Sequence, residues 1–133
     1  MPKLMFLIVD DSPDVRHVLK SILQSEHAHI LLANDGLDAL AVVQRLGRHI
    51  NLIITDINMP RMDGLTFVGI VSELYPEVPV IFISSSLDSE RLKQRERILL
   101  LQKPFLPQAI LEAVREVLTA RRDVDEIKAR RIA

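Results

Sequence analysis

Three aspartates, a serine and a lysine each follow a short apolar run, and no other residues in the chain are so well placed for chemistry. Asp10-Asp11 follow Leu4 to Val9, Asp56 follows Leu52 to Thr55, Ser84 follows Val80 to Ile83, and Lys103 comes just after Ile98 to Leu101. If those runs are parallel strands, the five residues reach one edge of a sheet, which is where open α/β sheets bind their ligands. Three carboxylates crowded together repel one another, and a hard divalent cation relieves the repulsion. Mg2+ suits such an oxygen-only donor set and keeps several of its waters. Ca2+ is the alternative, but no segment resembles its binding loop. Each residue also has a plainer reading. An acidic pair after a strand suits the positive end of a following helix. Asp56 and Lys103 could form a structural ion pair. Ser84, Ser85 and Ser86 could be ordinary loop residues. Phe6, Phe67, Phe82 and Phe105 read as core aromatics. His27 and His29 share one face of an extended segment but lack a third ligand. They read as solvated loop residues, and His17 and His49 as surface residues.

The elements that must position these groups are visible in the pattern. With Ile30 to Ala33 there are five apolar runs, each short enough to be a buried strand. After the first, Ser12 is a natural N-cap and Pro13 suits the first helical position. Val15, Val18, Leu19, Ile22 and Leu23 then recur at helical spacing. The Asn34-Asp35-Gly36 turn opens a second helix through Leu40, Val43 and Leu46. Gly64 precedes a third with Phe67, Val68, Val71 and Leu74, which Pro76 and Pro79 end. Between the fourth and fifth runs, Leu87 to Arg97 offers only Leu92 to a core, which predicts a short, exposed helix. A last helix follows Pro107 with Ile110, Leu111, Val114, Val117 and Leu118, and Thr119 to Ala133 has no Gly or Pro to stop it. Strands alternating with helical crossovers predict a doubly wound α/β fold, a parallel sheet with helices on both faces. In the last helix Ile110, Val117 and Val124 with Ala113, Ala120 and Ile127 make a narrow heptad seam. It ends at Arg131 and is short for a coiled coil; a solvated helix end explains it equally well.

Composition bounds the rest. The 133 residues, 48% hydrophobic and 26% charged, suit one domain with a single sizeable core. The absence of cysteine excludes disulfides, a zinc ribbon and thiol chemistry. Seventeen basic and 18 acidic residues give a net charge of -1, without the basic excess that draws a chain to nucleic acid. Leu4 to Val9 meets Asp10 too early for a signal-peptide core or a membrane span, so a cytoplasmic protein without membrane contact is expected. Gly36, Gly47, Gly64 and Gly69 form no phosphate cradle, which sets aside nucleotide chemistry.

The segment Asp56-Ile57-Asn58-Met59-Pro60-Arg61-Met62-Asp63-Gly64 resembles the phosphoacceptor segment of bacterial response-regulator receiver domains, the CheY-like family of two-component systems. Asp10-Asp11, Ser84 and Lys103-Pro104-Phe105 stand in the matching order, so the resemblance covers residues 3 to 120. It implies five strands in the flavodoxin-like order 2-1-3-4-5, a receiver domain over 1–120, and a C-terminal helical extension or linker over 121–133. It also implies a phosphorylation-dependent switch. Asp56 would accept a phosphoryl group from a sensor histidine kinase or a histidine phosphotransfer protein. Asp11, Asp56 and the backbone carbonyl of Asn58 would hold Mg2+, with Asp10 acting through a metal-bound water. Lys103 would balance charge from the opposite side, Ser84 would donate to a phosphoryl oxygen, and Pro104 matches a cis-proline position. Asn58 and Ser86 sit where relatives tune access of water. Enzymatic activity would extend no further than self-phosphorylation and its reversal. The output would be a downstream protein target or a fused output domain, with the receiver a monomer or a phosphorylation-linked homodimer. Two departures stand out. Leu100 occupies a position that is commonly aromatic, and the stretch from Ser84 to Lys103 is short and carries Arg91, Lys93, Arg95 and Arg97. They motivate an alternative, a phosphorylation-independent interaction or dimerisation module acting through the last helix. The intact acidic, hydroxyl and lysine set argues against it.

Overall fold

A computed structural model describes residues 3–85 and 98–132, so the helix expected within Leu87 to Arg97, and Ser86, lie outside the described residues. The described elements are β1 (Leu4–Val9), α1 (Pro13–Leu23), β2 (Ala28–Ala33), α2 (Gly36–Leu46), β3 (Leu52–Asp56), α3 (Gly64–Leu74), β4 (Val80–Ser84), β5 (Ile98–Gln102) and α4 (Pro107–Ile132). Single 3-10 turns at Gln24–Glu26 and Gly47–His49 close α1 and α2. All neighbouring strands pair in parallel, in the order β2-β1-β3-β4-β5. This is the doubly wound, flavodoxin-like sheet that the pattern and the resemblance predict.

Alternating strand residues feed two cores, one on each face. Leu7, Val9, Ile53 and Phe82 pack with Ala39 and Val43 of α2 and with Phe67, Val68 and Val71 of α3. Phe6, Ile8, Leu52, Ile54, Ile81 and Ile83 pack on the other face against Leu19 and Leu23 of α1 and Ile110, Ala113, Val114 and Val117 of α4. Each of the valine, leucine, isoleucine and phenylalanine side chains stabilises the fold by about 1.5–3 kcal/mol on full burial, so the strand ends beyond Val9, Thr55 and Ile83 are held by well-anchored backbone. The helices begin where capping chemistry dictates. Ser12 Oγ accepts the Val15 amide at 3.3 Å, Asp35 Oδ1 accepts the Asp38 amide at 2.9 Å, and Asp63 Oδ1 accepts the Thr66 amide at 2.8 Å.

Several expectations need correcting. β2 is an edge strand, and Leu32 on it is 41% exposed, so it is not buried like β3 and β4. It also starts two residues early. His29 therefore lies within the strand, exposed and paired with Met5, while His27 alone sits in the turn with a left-handed φ of 53°. Val18 and Leu74, each spaced like a core residue, are half exposed because they sit at the margins of their helical stripes. The heptad seam loses its first half, since Ile110, Ala113 and Val117 are buried in the domain's own core and cannot face a partner. The continuation of α4 beyond Leu118 as helix, to Ile132, is as expected. No helix among the described residues is long and apolar enough to cross a membrane.

Candidate functional site

Register sets the site. Val9 of β1 lies beside Thr55 of β3, Asp56 beside Ile83 of β4, and Ser84 beside Gln102 of β5. The next residue along each strand therefore comes to the same edge, which brings Asp10, Asp56 and Lys103 together. Asp10 and Asp56 are buried and Asp11 is exposed, and each offers a carboxylate oxygen within 4.8 Å of the others. Lys103 bridges the two buried carboxylates. Its Nζ donates to Asp10 Oδ2 at 2.9 Å and to Asp56 Oδ2 at 3.0 Å. The remaining oxygens are bound by backbone, Asp10 Oδ1 accepting from the Ser12 amide at 2.9 Å and Asp56 Oδ1 from the Ile57 amide at 2.7 Å. The Asp10 carbonyl is held in turn by Arg16, whose Nη1 donates to it at 2.6 Å. Burial disfavours the Lys103 ammonium, but the hydrogen bonds and charges of Asp10 and Asp56 outweigh it and hold its pKa above the ordinary lysine value.

Among the described residues three carboxylates thus share the Lys103 ammonium, with the Arg16 guanidinium on the Asp10 main chain, and the acidic excess, made only of oxygen donors and open on the Asp11 side, fits a hard divalent cation. Asn58, whose carbonyl the resemblance assigns to the metal, lies exposed two residues after Asp56 in the loop before α3. That loop closes on itself through the Gly64 amide, which donates to the Ile57 carbonyl at 2.7 Å. Gly64 is required there, because a Cβ would lie 2.0 Å from the Asp56 carbonyl oxygen. Ser84 is fully buried at the end of β4, and its carbonyl accepts the Lys103 amide at 2.9 Å. The Lys103-Pro104 bond is cis. A shallow groove beside Lys103 is lined by Asp14, Val15, Val18, Ser85, Pro104 and Phe105. Leu100 is half-buried against the α2 and α3 core.

The structure thus brings together Asp10, Asp11, Asp56 and Lys103 by direct contact or shared oxygen spacing, and sets Ser84 at the neighbouring strand end. Three supports escaped the sequence reading, the Arg16 contact to the Asp10 carbonyl among them. The Ser12 and Ile57 amides that fix the carboxylates leave no side-chain signal. Arg61 forms ion pairs with Asp35 at 2.6 Å and Asp38 at 2.7 Å. An acidic N-cap with a second acidic residue three positions on, Asp35 and Asp38, hints at such a cation, but the spacing does not name which one.

Residues 6–115 match the response regulator receiver domain. The chain is 38% identical over 92 residues to the sensor histidine kinase RcsC of Escherichia coli K12, an alignment that takes in 69% of this chain but only 9% of that protein. It is 31% identical over 130 residues to the protein PilG of Pseudomonas aeruginosa, covering 93% of this chain and 94% of that one. The chemotaxis protein CheY4 of Vibrio cholerae has a similar structure, with a TM-score of 0.80 and 31% identity over 88% of this chain and 100% of that chain. The chain belongs to the response regulator receiver domain family, the signalling receivers of two-component systems.

Proposed function

We propose that this receiver is a phosphorylation-dependent switch in which Asp56 accepts a phosphoryl group from a sensor histidine kinase or a histidine phosphotransfer protein. The observation that carries the reading is the Lys103 ammonium lying between the Asp10 and Asp56 carboxylates, beside the exposed Asp11. The Asp56 carboxylate is the nucleophile. Its oxygen forms a bond to phosphorus as the phosphorus–nitrogen bond of a phosphohistidine breaks, and the imidazole leaves with the electron pair and takes up a proton. Mg2+, held by Asp11, Asp56 and the Asn58 carbonyl with Asp10 acting through a bound water, would supply positive charge to the carboxylate and phosphoryl oxygens. Lys103 supplies charge from the other side by releasing carboxylate oxygens and turning to the phosphoryl group. The Ser84 hydroxyl donates to a phosphoryl oxygen, and the end of β4 follows it inward, which converts charge into shape. The apolar groove of Val15, Val18 and Phe105 beside Lys103 gives the phosphodonor a surface to rest on.

On this reading residues 1–120 are the receiver and 121–133 a helical extension or linker. The protein is cytoplasmic, and its output is altered binding to a downstream protein or a fused output domain, as a monomer or a phosphorylation-linked homodimer. The test is intact-mass spectrometry of wild type and Asp56→Asn after incubation with acetyl phosphate, with and without Mg2+. One alkali-labile phosphoryl group that requires Mg2+ and is absent from the variant supports the reading. Uptake by Asp56→Asn at the wild-type rate, or no uptake by wild type, overturns it.

A further inference from the structure

We infer that Arg61 is a positioning residue for metal binding, its guanidinium clamped to Asp35 and Asp38 so that the loop between β3 and α3 presents the Asn58 carbonyl in place. The inference rests on the reading of the acidic cluster as a Mg2+ site. The clamp's hydrogen bonds go to Asp35 and Asp38, which are not members of that cluster.

Arg61 is an exposed side chain, yet three of its donor contacts are made. Nε donates to Asp35 Oδ2 at 2.6 Å, and Nη2 donates to Asp35 Oδ1 at 3.1 Å and to Asp38 Oδ1 at 2.7 Å. The two bonds to Asp35 use both of its oxygens, the forked geometry that a guanidinium provides and an ammonium does not. Asp35 is a firm anchor. It is 4% exposed and caps α2, and a carboxylate so buried needs a cation. The backbone of Arg61 is left-handed, with φ of 66°. Such a conformation in a residue with a side chain persists only where its surroundings impose it. Here the imposing contacts are visible on both sides. The Met62 amide donates to the Pro60 carbonyl at 2.8 Å, turning the chain at Arg61, and the Gly36 amide donates to the Met62 carbonyl at 3.1 Å. A Cβ at Gly36 would lie 2.7 Å from that carbonyl oxygen, so the start of α2 and the loop touch backbone to backbone.

The loop is therefore tied at its base and at its tip, where the Arg61 clamp acts beside the Gly36 to Met62 backbone bond. The Gly64 amide to Ile57 carbonyl bond closes its base at Asp56, and the Arg61 clamp fastens its tip to α2. Asn58 lies between the two ties. A backbone carbonyl brings no net charge to a cation, so its worth as a ligand depends on being held at the right place, and supports of metal ligands set affinity through that placement.

The experiment is a calorimetric Mg2+ titration of the full chain, together with hydrogen exchange of the amides of Asn58, Met59, Arg61, Met62 and Asp63 without metal. Arg61→Gly keeps a backbone at ease in the left-handed region and deletes the clamp. It should weaken Mg2+ binding about tenfold and speed exchange across the loop. Arg61→Lys, which restores charge without the fork, should fall between. Asp35→Asn keeps the helix cap and should weaken binding by a similar factor, and the double variant Arg61→Gly with Asp35→Asn should bind no worse than the weaker single one. Wild-type affinity and wild-type exchange in Arg61→Gly overturn the inference while leaving the metal reading intact. A wild-type chain that takes up no Mg2+ overturns the metal reading itself, and the inference with it.

Discussion

Lys103→Met keeps the length of the side chain and removes the ammonium that bridges Asp10 and Asp56. Two charge-assisted hydrogen bonds, of 2.9 and 3.0 Å, are lost together. Breaking a buried ion pair by deleting one partner costs about 3–5 kcal/mol. Here the Lys103 side chain is 21% exposed and that of Asp56 11%, so water at the rim screens part of the loss. The expected cost without divalent cation is about 2–3 kcal/mol, which in a domain of this length lowers Tm by about 6–12 °C. The pH dependence has a definite sign. Because the carboxylates hold the Lys103 pKa above its ordinary 10.5, its contribution is complete below that value and fades as pH rises through the folded-state value. The Tm difference between wild type and variant should be flat from about pH 7 to about pH 9 and narrow only at more alkaline pH. Circular dichroism melts in EDTA measure it. Mg2+ added afterwards should raise the variant's Tm more than that of wild type, since the new cation takes over charge that the lysine had supplied. A difference below about 0.5 kcal/mol in EDTA at neutral pH, or one that widens in alkali, refutes the account of Lys103 as counterion to the cluster.

The Arg61 guanidinium holds the Asp35 carboxyl below its ordinary 3.8, so this pair contributes stability above that pH and loses it as pH falls through the lower folded-state value. Asp35→Asn should therefore melt below wild type near neutral pH, with the difference closing in acid; a difference that grows on acidification contradicts the pairing. Gly64→Ala places a Cβ 2.0 Å from the Asp56 carbonyl oxygen, a main-chain atom that cannot swing aside. It should cost about 2 kcal/mol or more in urea unfolding and slow phosphoryl uptake. Gly69→Ala, with nothing within 4 Å of the new Cβ and a helical position, should be neutral or stabilising, and equal effects from the two alanines would remove the steric argument.

The strands and the carboxylate edge were legible because buried parallel strands read as unbroken apolar runs, and a polar residue ending such a run must lie at the sheet's rim. Leu52 to Thr55 followed by Asp56 is the clearest case. What periodicity could not supply is which part of a stripe meets a neighbour. Val18 and Leu74 keep helical spacing yet stand half in water, and Ile110, Ala113 and Val117 serve the domain core where a seam could equally be drawn. The Arg61 clamp was hidden for another reason. Its partners lie 26 and 23 residues away, and only the packing of the loop on α2 brings them together.

Leu100 raises the question of how a phosphoryl group at Asp56 could move the surface without an aromatic residue in β5. The strand ends answer part of it. Ser84 lies opposite Gln102 in the ladder, and the Ser84 carbonyl accepts the Lys103 amide at 2.9 Å. The two groups that would turn toward a phosphoryl oxygen, the Ser84 hydroxyl and the Lys103 ammonium, thus belong to residues already joined through their backbones. A pull on either side chain loads the same junction between β4 and β5. Leu100 sits two residues before Gln102 and faces the α2 and α3 core, where it is only half-buried. On the proposed reading, a phosphoryl group at Asp56 would act through these joined strand ends, with no ring in β5 required.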